Sequence, residues 1–336
     1  MDQVRSWVLA AGSPGSLQCV NTRVTQQVLP NHILVAVQAA SINPVDSQLL
    51  NWRLNAPSGV DTPWVVGRDF AGVVLKAAPG TEFMPGDHVM GVTRAMDGSG
   101  TLTDRVHINL GSSAVVTKPP NMPWAEAASV PSAWLTAFTA IEKCASTVDT
   151  SRKHKIAILG GSSPTGIYAI QIAHRRGWWV MATCYGQQYV DLLKKQGAHR
   201  VTDCSSSPDA GNDAVAHFEP DAILDCVCQK QCENMARTHV EVSGFASESS
   251  LLGGGSVAQD YPSMYFELNN AWLEEARRLC GRCIHVDSVF TFDKVKEAFN
   301  KMHTNQCRGR VVIKIEGDSR AMQDTLQLTA AGREIS

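Results

Sequence analysis

The sequence predicts an α/β protein in which a doubly wound parallel sheet is inserted into a β-rich domain. Two observations support the β-rich domain and one supports the parallel sheet. The first 120 residues hold short apolar runs, such as residues 33–37 and 73–75, separated by Pro and Gly turns. After Pro123, helical segments alternate with short apolar strands. From about Leu268 the pattern becomes mixed again, so we expect the tail to return to the first domain.

The elements of the parallel sheet follow from this alternation. Helices are predicted at residues 124–144, 166–176 and 188–196, and strands at 156–159, 179–183, 200–202, 222–226 and 240–244. The tail adds a helix at 293–302 and a strand at 311–315. The predicted domains are therefore residues 1–120 with 268–336, and residues 121–267.

Composition narrows the function to small-molecule chemistry in the cytoplasm. The 336 residues carry 30 Lys and Arg against 32 Asp and Glu, and no long run of one charge gives nucleic acid or an anionic membrane a place to bind. We expect no signal peptide and no transmembrane helix, because no run of about 18 apolar residues occurs. Ten cysteines without a secretion signal predict reduced thiols in the cytosol.

Residues 155–173 form a strand, a tight Gly/Ser turn and a helix, which together predict a phosphate-binding turn. Gly160 and Gly161 permit the turn and a close backbone approach, and Gly166 lets the helix pack on the strand. Exposed amides at the helix N-terminus attract a pyrophosphate. An ordinary strand-to-helix turn is the alternative, but the position at the first βα repeat favours binding. The predicted contacts are Gly161, Ser162, Ser163, Pro164, Thr165 and Gly166.

The end of the next strand indicates which dinucleotide binds. NAD-selective sites place an acid there for the ribose hydroxyls, whereas this chain has none between Trp179 and Asp191. A carboxylate repels a 2′-phosphate, but Tyr, Gln and Lys side chains attract one. We therefore predict NADPH, with a solvated loop as the alternative interpretation. The predicted contacts are Tyr185, Gly186, Gln187 and Gln188, with Lys194 as a further charge partner.

Three stretches in this order and spacing resemble the quinone oxidoreductase branch of the medium-chain dehydrogenase/reductase superfamily. They are residues 41–46 (Ser-Ile-Asn-Pro-Val-Asp), 66–74 (Val-Gly-Arg-Asp-Phe-Ala-Gly-Val-Val) and 85–91 (Pro-Gly-Asp-His-Val-Met-Gly). The similarity continues through residues 126–131, 135–137, 197–203 and 308–312, so it covers essentially the whole chain. Within the branch, the Ala-Thr-Cys strand end and the Gly-Gly-Ser-Ser turn are most similar to the trans-acting enoyl reductases of fungal polyketide synthases.

The resemblance implies a GroES-like domain with an inserted Rossmann domain and an active site in the cleft. It also implies a small-molecule substrate, a polyketide synthase as a partner in trans, and a monomer or homodimer. Zinc-dependent relatives bind their metal through Cys and Gly-His-Glu, but the matching places here hold Asn43 or Pro44 and then Gly-Arg-Asp69. We therefore predict no metal, and we interpret Asp69 as a structural carboxylate. A new zinc site is the alternative, built from Cys226, Cys228, Cys232, Cys280 and Cys283.

The predicted reaction is hydride transfer from NADPH to an activated double bond of an enoyl compound, an enone or a quinone. Such a reaction needs a positioned electron-poor carbon and a polarised carbonyl. Asn43, Gln48 and Thr136 are the candidate catalytic residues, and Val45 is a candidate cofactor contact. Each catalytic candidate has an alternative role: Asn43 as a turn cap, Gln48 as a surface residue and Thr136 as a buried helix hydroxyl.

Two departures from the family motivate a second hypothesis. Pro164 stands where many relatives have glycine and removes one amide from the phosphate turn. Gln48 stands where relatives carry Tyr or Lys. The alternative is therefore a non-redox isomerase or cyclase, or a synthase-binding protein, that keeps the reductase fold.

Overall fold

The chain divides into two units, residues 1–132 with 268–336 and residues 133–267. The predicted boundary after residue 120 lies before the observed one, because the helix Trp124–Ser129 packs on strands of the first unit. The computed structural model describes residues 2–9, 17–47, 64–94, 98–146, 153–207, 209–227, 232, 235–242, 266–279, 286–304, 307 and 309–316.

The first unit contains two sheets. A three-stranded sheet has the order β2-β1-β4, formed by β1 (Asp2–Leu9), β2 (Leu17–Val24) and β4 (Trp64–Val65). The larger, seven-stranded sheet is built from β3 (His32–Ile42), β5 (Asp69–Ala77), β6 (His88–Thr93), β7 (Arg105–Asn109), β8 (Ser113–Thr117), β14 (Val286–Thr291) and β15 (Arg310–Lys314). Its order is β14-β15-β3-β5-β6-β8, with β7 also paired to β3. The tail thus returns to the first unit.

Strand β3 lies at the centre of this unit, and its near-continuous apolar sequence fits burial on both faces. It crosses β5 closely at Gly72, where an added Cβ would lie 2.3 Å from the carbonyl oxygen of Ala36. The main core of the unit draws on both ends of the chain, including Ile33, Phe70, Leu102, Phe292 and Ile313.

The second unit is a parallel sheet with the order β11-β10-β9-β12-β13. Its strands are β9 (Lys155–Leu159), β10 (Trp179–Cys184), β11 (Arg200–Asp203), β12 (Ala222–Asp225) and β13 (Thr238–Glu241). The helices of the whole chain are α1 (Trp124–Ser129), α2 (Pro131–Ala145), α3 (Pro164–Arg175), α4 (Val190–Lys195), α5 (Ala210–Phe218), α6 (Asn270–Leu279) and α7 (Val295–His303). This sheet confirms the predicted fold class. None of the described helices reaches the length and apolarity needed to cross a bilayer.

The predicted helix at residues 124–144 is wrong in one respect, because the structure splits it into α1 and α2. Pro131 begins the second helix and has no amide with which to continue the first. The predicted strand at 240–244 is β13 at Thr238–Glu241, and residues 243 and 244 lie outside the described residues.

Trp7 ties the first strand to the tail, which makes its indole a testable part of the fold. Its Nε1 donates a hydrogen bond of 2.6 Å to the carbonyl oxygen of Phe292, and the side chain is buried. Trp7→Phe removes the donor and leaves a buried acceptor without a partner. We expect the free energy of unfolding to fall by about 2 kcal/mol in urea titrations. Trp179→Phe, at a position that is 42% exposed, is the control and should cost less than about 0.5 kcal/mol. Equal losses would contradict the assignment.

Candidate functional site

The turn between β9 and α3, residues 160–166, is called the cradle below. It is pinned to the neighbouring strand β10, since the amide of Gly160 donates to Thr183 Oγ1 at 3.0 Å and that of Gly161 to the Thr183 carbonyl at 2.7 Å. Gly160 has a φ of +72°, which favours glycine. Pro164 occupies the first turn of α3, where proline costs no helical hydrogen bond.

The cradle has no room for side chains at Gly161 and Gly166. A Cβ on Gly166 would lie 2.5 Å from the carbonyl oxygen of Gly160, and one on Gly161 would lie 2.8 Å from the Cβ of Ala182. Helix α3 therefore starts close to the carboxyl end of β9, the strand at which the sheet order reverses. A glycine-lined turn at this point fits the pyrophosphate of a dinucleotide.

Some backbone amides of the cradle donate hydrogen bonds within the chain, and others do not. The amide of Ser163 donates to the Gly160 carbonyl at 2.9 Å, and the amide of Gly166 donates to Ser163 Oγ at 3.0 Å. Ser163 is thus the helix cap. Within the described part of the chain, the amides of Ser162 and Thr165 have no intramolecular acceptor. These two amides are the ones available to a phosphate, which narrows the predicted set.

The loop after β10, residues 185–188, is called the ribose loop. Tyr185 is 61% exposed, and the side chains of Gln187 and Gln188 are exposed as well. Gly186 has a φ of +118°, and its amide donates to Asp203 Oδ1 at 2.8 Å. The loop therefore presents polar side chains at the carboxyl end of β10, and their contact with the adenosine ribose stays a prediction.

Asp203 is a residue that the sequence analysis missed. It ends β11 directly opposite Cys184, so the parallel pairing brings its carboxylate to the ribose loop. Hydrogen bonds from the amides of Gly186 and Ser205 hold the pKa of Asp203 below its ordinary value, and the carboxylate is ionised at neutral pH. The sequence signal for this residue is an acid at the end of β11, whereas the sequence analysis considered only the end of β10, the strand before the loop.

Cys226, proposed above as an alternative zinc ligand, follows β12 and hydrogen-bonds to Ser163. Burial raises the pKa of its thiol to about 12, which disfavours the thiolate that zinc requires. In the described residues no three metal-ligating side chains are grouped in a way that suits a metal ion. Cys228, Cys280 and Cys283 lie outside those residues.

A buried group in the first unit, the Asp69 network, consists of Ser41, Asn43, Asp69, Ser132 and Arg310. Asp69 is fully buried, and its carboxylate accepts hydrogen bonds from Ser41 Oγ (2.9 Å), Asn43 Nδ2 (2.9 Å), the Ser132 amide (3.0 Å) and Ser132 Oγ (2.5 Å). Arg310 Nη2 donates to Ser132 Oγ at 3.0 Å. The network supports the structural interpretation of Asp69.

The predicted catalytic residues fall in different places. Asn43 is only 3% exposed, its side-chain nitrogen donates to Asp69, and its amide donates to Asp46 Oδ2 at 2.7 Å. This geometry favours the turn cap over a direct substrate contact. Val45 is half-buried on the same turn. Thr136 is half-buried in α2, in the second unit, and its catalytic role stays a prediction. Gln48 lies outside the described residues.

Asp46 is the second buried acid of this region. Its side chain is 2% exposed, and its Oδ1 has no hydrogen-bond partner among the described residues. Burial, with a smaller contribution from the charge of Asp69, raises the pKa of Asp46 to about 6 against the opposing effects of Arg68, the Asn43 backbone amide and Arg310. The turn at residues 43–46 therefore contains a carboxyl group that titrates near neutral pH.

The fold and the cradle define a dinucleotide-binding α/β protein with an inserted sheet. Residues 29–180 match the model of the alcohol dehydrogenase GroES-like domain. The chain is 30% identical over 332 residues to the NAD(P)H oxidoreductase RTN4IP1, mitochondrial, of Bos taurus, with 85% of this chain and 82% of that protein covered. It is 27% identical to the trans-enoyl reductase pgmF of Aspergillus terreus over 330 residues, 85% of this chain and 87% of the reductase.

The fold is also that of the quinone oxidoreductase from Thermus thermophilus, determined alone and in complex with NADPH. That structure superposes with a TM-score of 0.64 at 20% identity, covering 93% of this chain and 100% of the other. The chain belongs to the quinone oxidoreductase-like branch of the medium-chain dehydrogenase/reductase superfamily, which confirms the predicted family. It is an oxidoreductase by family.

Two substitutions test the cradle. Pro164→Gly adds one amide at the start of α3, and a hydrogen bond to a charged group contributes about 1.5 to 3 kcal/mol, offset in part by greater flexibility. We expect NADPH to bind about fivefold tighter. Gly166→Val places a side chain against the Gly160 carbonyl, so we expect binding to fall below detection in calorimetry.

The control for these variants is Gly177→Ala, just beyond the other end of α3, where an added Cβ meets nothing within 4 Å; the φ of +74° makes this change cost some stability, but it lies away from the cradle. It should keep wild-type affinity. Circular dichroism establishes that each variant is folded. If folded Gly166→Val and Pro164→Gly both bind NADPH like the wild type, the cradle is not the cofactor site.

Asp46→Asn tests the buried acid through the pH dependence of stability. The folded pKa of about 6 lies above the ordinary 3.8, so the folded protein binds the extra proton more tightly and loses stability as pH rises between these values. The wild type should therefore lose about 3 kcal/mol relative to Asp46→Asn between pH 3.5 and pH 6.5.

Urea titrations at several pH values measure this difference, and other titrating groups cancel in it. Asp191→Asn, at an exposed position in α4, is the control and should follow the wild-type curve. Parallel curves for the wild type and Asp46→Asn would show that the buried carboxyl has no raised pKa.

Proposed function

We propose that the protein is a zinc-independent reductase that uses NADPH to reduce an activated double bond of a small molecule. The observation that carries the proposal is the cradle: a glycine-lined turn at the carboxyl end of a parallel sheet, with the amides of Ser162 and Thr165 left free for a phosphate. The names of the similar proteins, an NAD(P)H oxidoreductase and a trans-enoyl reductase, support the same reaction class.

Two groups of residues would bind two different parts of the cofactor. The cradle would hold the pyrophosphate, and the exposed side chains of Tyr185, Gln187 and Gln188 would donate hydrogen bonds to the 2′-phosphate. NADPH, when bound, supplies a hydride for the electron-poor carbon of the double bond. The complex of the Thermus thermophilus enzyme with NADPH supports this choice of cofactor.

Thr136 and Gln48 are kept as separate candidate donors for the substrate carbonyl and its enolate charge, and Gln48 lies outside the described residues. A water molecule supplies the proton to the neighbouring carbon. Asn43 contributes by fixing the turn that carries Val45, since its amide and side chain are bonded to Asp46 and Asp69. The substrate class is an enoyl compound, an enone or a quinone, and the likeness to the trans-enoyl reductase pgmF supports the enoyl compound. A role in polyketide biosynthesis is part of the proposal.

The proposal of zinc independence rests on the hydrogen bonds of Asp69, which occupies the position where metal-dependent relatives have a zinc ligand. Both of its oxygens already accept hydrogen bonds, from Ser41, Asn43 and Ser132. A zinc ion needs lone pairs that this network uses.

The second candidate is a non-redox isomerase or cyclase of the same fold. It is favoured by Pro164, which lies at the helix start and removes one amide from an already small set. A non-redox enzyme would convert its substrate with no loss of NADPH absorbance, whereas a reductase oxidises one NADPH for each double bond reduced.

We expect NADPH to bind at least about tenfold tighter than NADH, and a panel of enones and quinones to include substrates that oxidise NADPH. Calorimetry measures both affinities. Tyr185→Asp and Gln188→Glu should each weaken NADPH selectively, because a carboxylate repels the 2′-phosphate; Tyr185→Phe is the uncharged control. Activity should persist in a zinc chelator. Equal affinities for the two cofactors, or loss of activity with the chelator, would contradict the proposal.

A further inference from the structure

The ribose loop is held by a residue from a different strand. Asp203 ends β11, and its Oδ1 accepts hydrogen bonds from the amide of Gly186 at 2.8 Å and from the amide of Ser205 at 3.0 Å. Gly186 lies between Tyr185 and Gln187, so this bond fixes the middle of the loop. The φ of +118° at Gly186 shows that the backbone takes a conformation that favours glycine in order to make it.

The group that fixes the loop is charged. The amides of Gly186 and Ser205, and the hydroxyl of Ser205, all stabilise the ionised form of Asp203. None of these donors is a cation, and the described residues give Asp203 no ion pair with Lys or Arg. A full negative charge therefore remains at the carboxyl edge of the sheet, beside the loop that would receive the 2′-phosphate.

We propose that Asp203 determines cofactor specificity through two separable effects. Its hydrogen bond to Gly186 orders the ribose loop, which favours NADPH and NADH equally. Its negative charge repels the 2′-phosphate and keeps the preference for NADPH below the value that Tyr185 and the two glutamines would give alone. This inference rests on the proposed cofactor site.

A direct role in binding the ribose hydroxyls is the competing explanation, and it would make Asp203 a selector of NADH. The geometry disfavours it. One carboxylate oxygen already serves two amides, and the residue ends β11, whereas NAD-selective acids end the strand that precedes the ribose loop.

Asp203→Asn separates the charge from the hydrogen bond. The asparagine oxygen is able to accept from both amides, so the loop stays ordered while the charge disappears. We expect the dissociation constant of NADPH to fall about fivefold at low salt and that of NADH to stay unchanged. At high salt the gain should shrink, because a partly exposed charge is screened.

Asp203→Ala removes the acceptor as well as the charge. We expect NADH to bind more weakly, because the loop must be ordered on binding, and NADPH to lose about fivefold less affinity than NADH, because the repulsion of the 2′-phosphate is removed as well. The control is Asp213→Asn in α5, which removes one exposed negative charge from the same unit and should leave both constants unchanged. Calorimetry with NADPH and NADH gives all the constants, and thermal melts establish that each variant is folded.

The outcomes are distinct. Unchanged constants in Asp203→Asn, in a protein that prefers NADPH, would overturn the inference and leave the proposed function intact. A selective loss of NADH affinity would overturn it in favour of the ribose-binding role. A wild type that prefers NADH would contradict the proposed cofactor, yet a fivefold gain in NADPH affinity for Asp203→Asn would still support the inference. Absence of binding by the wild type would overturn both.

Discussion

The carboxylate of Asp69 imposes a constraint that reaches most of the first unit. A buried carboxyl group needs hydrogen-bond partners, and its donors come from strand β3, from the turn after it and from the start of helix α2. Arg310, on the returning strand β15, joins through Ser132. Because the donors come from β3 with its following turn and from α2, and Arg310 of β15 bonds to Ser132, the hydrogen bonds of one carboxylate link these segments to β5.

The two candidate sites are built in opposite ways. The cradle is local: Ser163 caps the helix that it precedes, and Gly160, Gly161 and Gly166 lie within a few residues of one another. The turn near Asn43 is held by distant residues, and Asn43 contributes to position more than to chemistry because its side chain is bonded to Asp69.

This difference explains what the sequence predicts well. The parallel sheet and the cradle depend on periodicity and on glycines close in sequence, so both were recognisable, and a Ser before a Pro at the helix start also signals the cap. Asp203 was missed because only strand pairing brings it to Gly186. The hydrogen bond from the Asn43 side chain to Asp69 was missed for the same reason, because the two residues are distant in sequence. For Thr136 and Gln48, no local sequence pattern separates a catalytic role from a packing role.

The insertion of one unit within the other has a consequence for synthesis. In the finished sheet, β15 pairs with residues 39–42 of β3, yet the whole second unit separates the two strands in sequence. As the chain leaves the ribosome, the second unit is complete before β15 appears. Until then residues 39–42 of β3 lack the partner strand that β15 supplies, while β5 and β7 already pair with the rest of β3. Unpaired backbone groups of this kind are a surface on which strands of other molecules add. The nascent chain therefore carries a short unpaired stretch at the C-terminal end of its central strand until the tail is made.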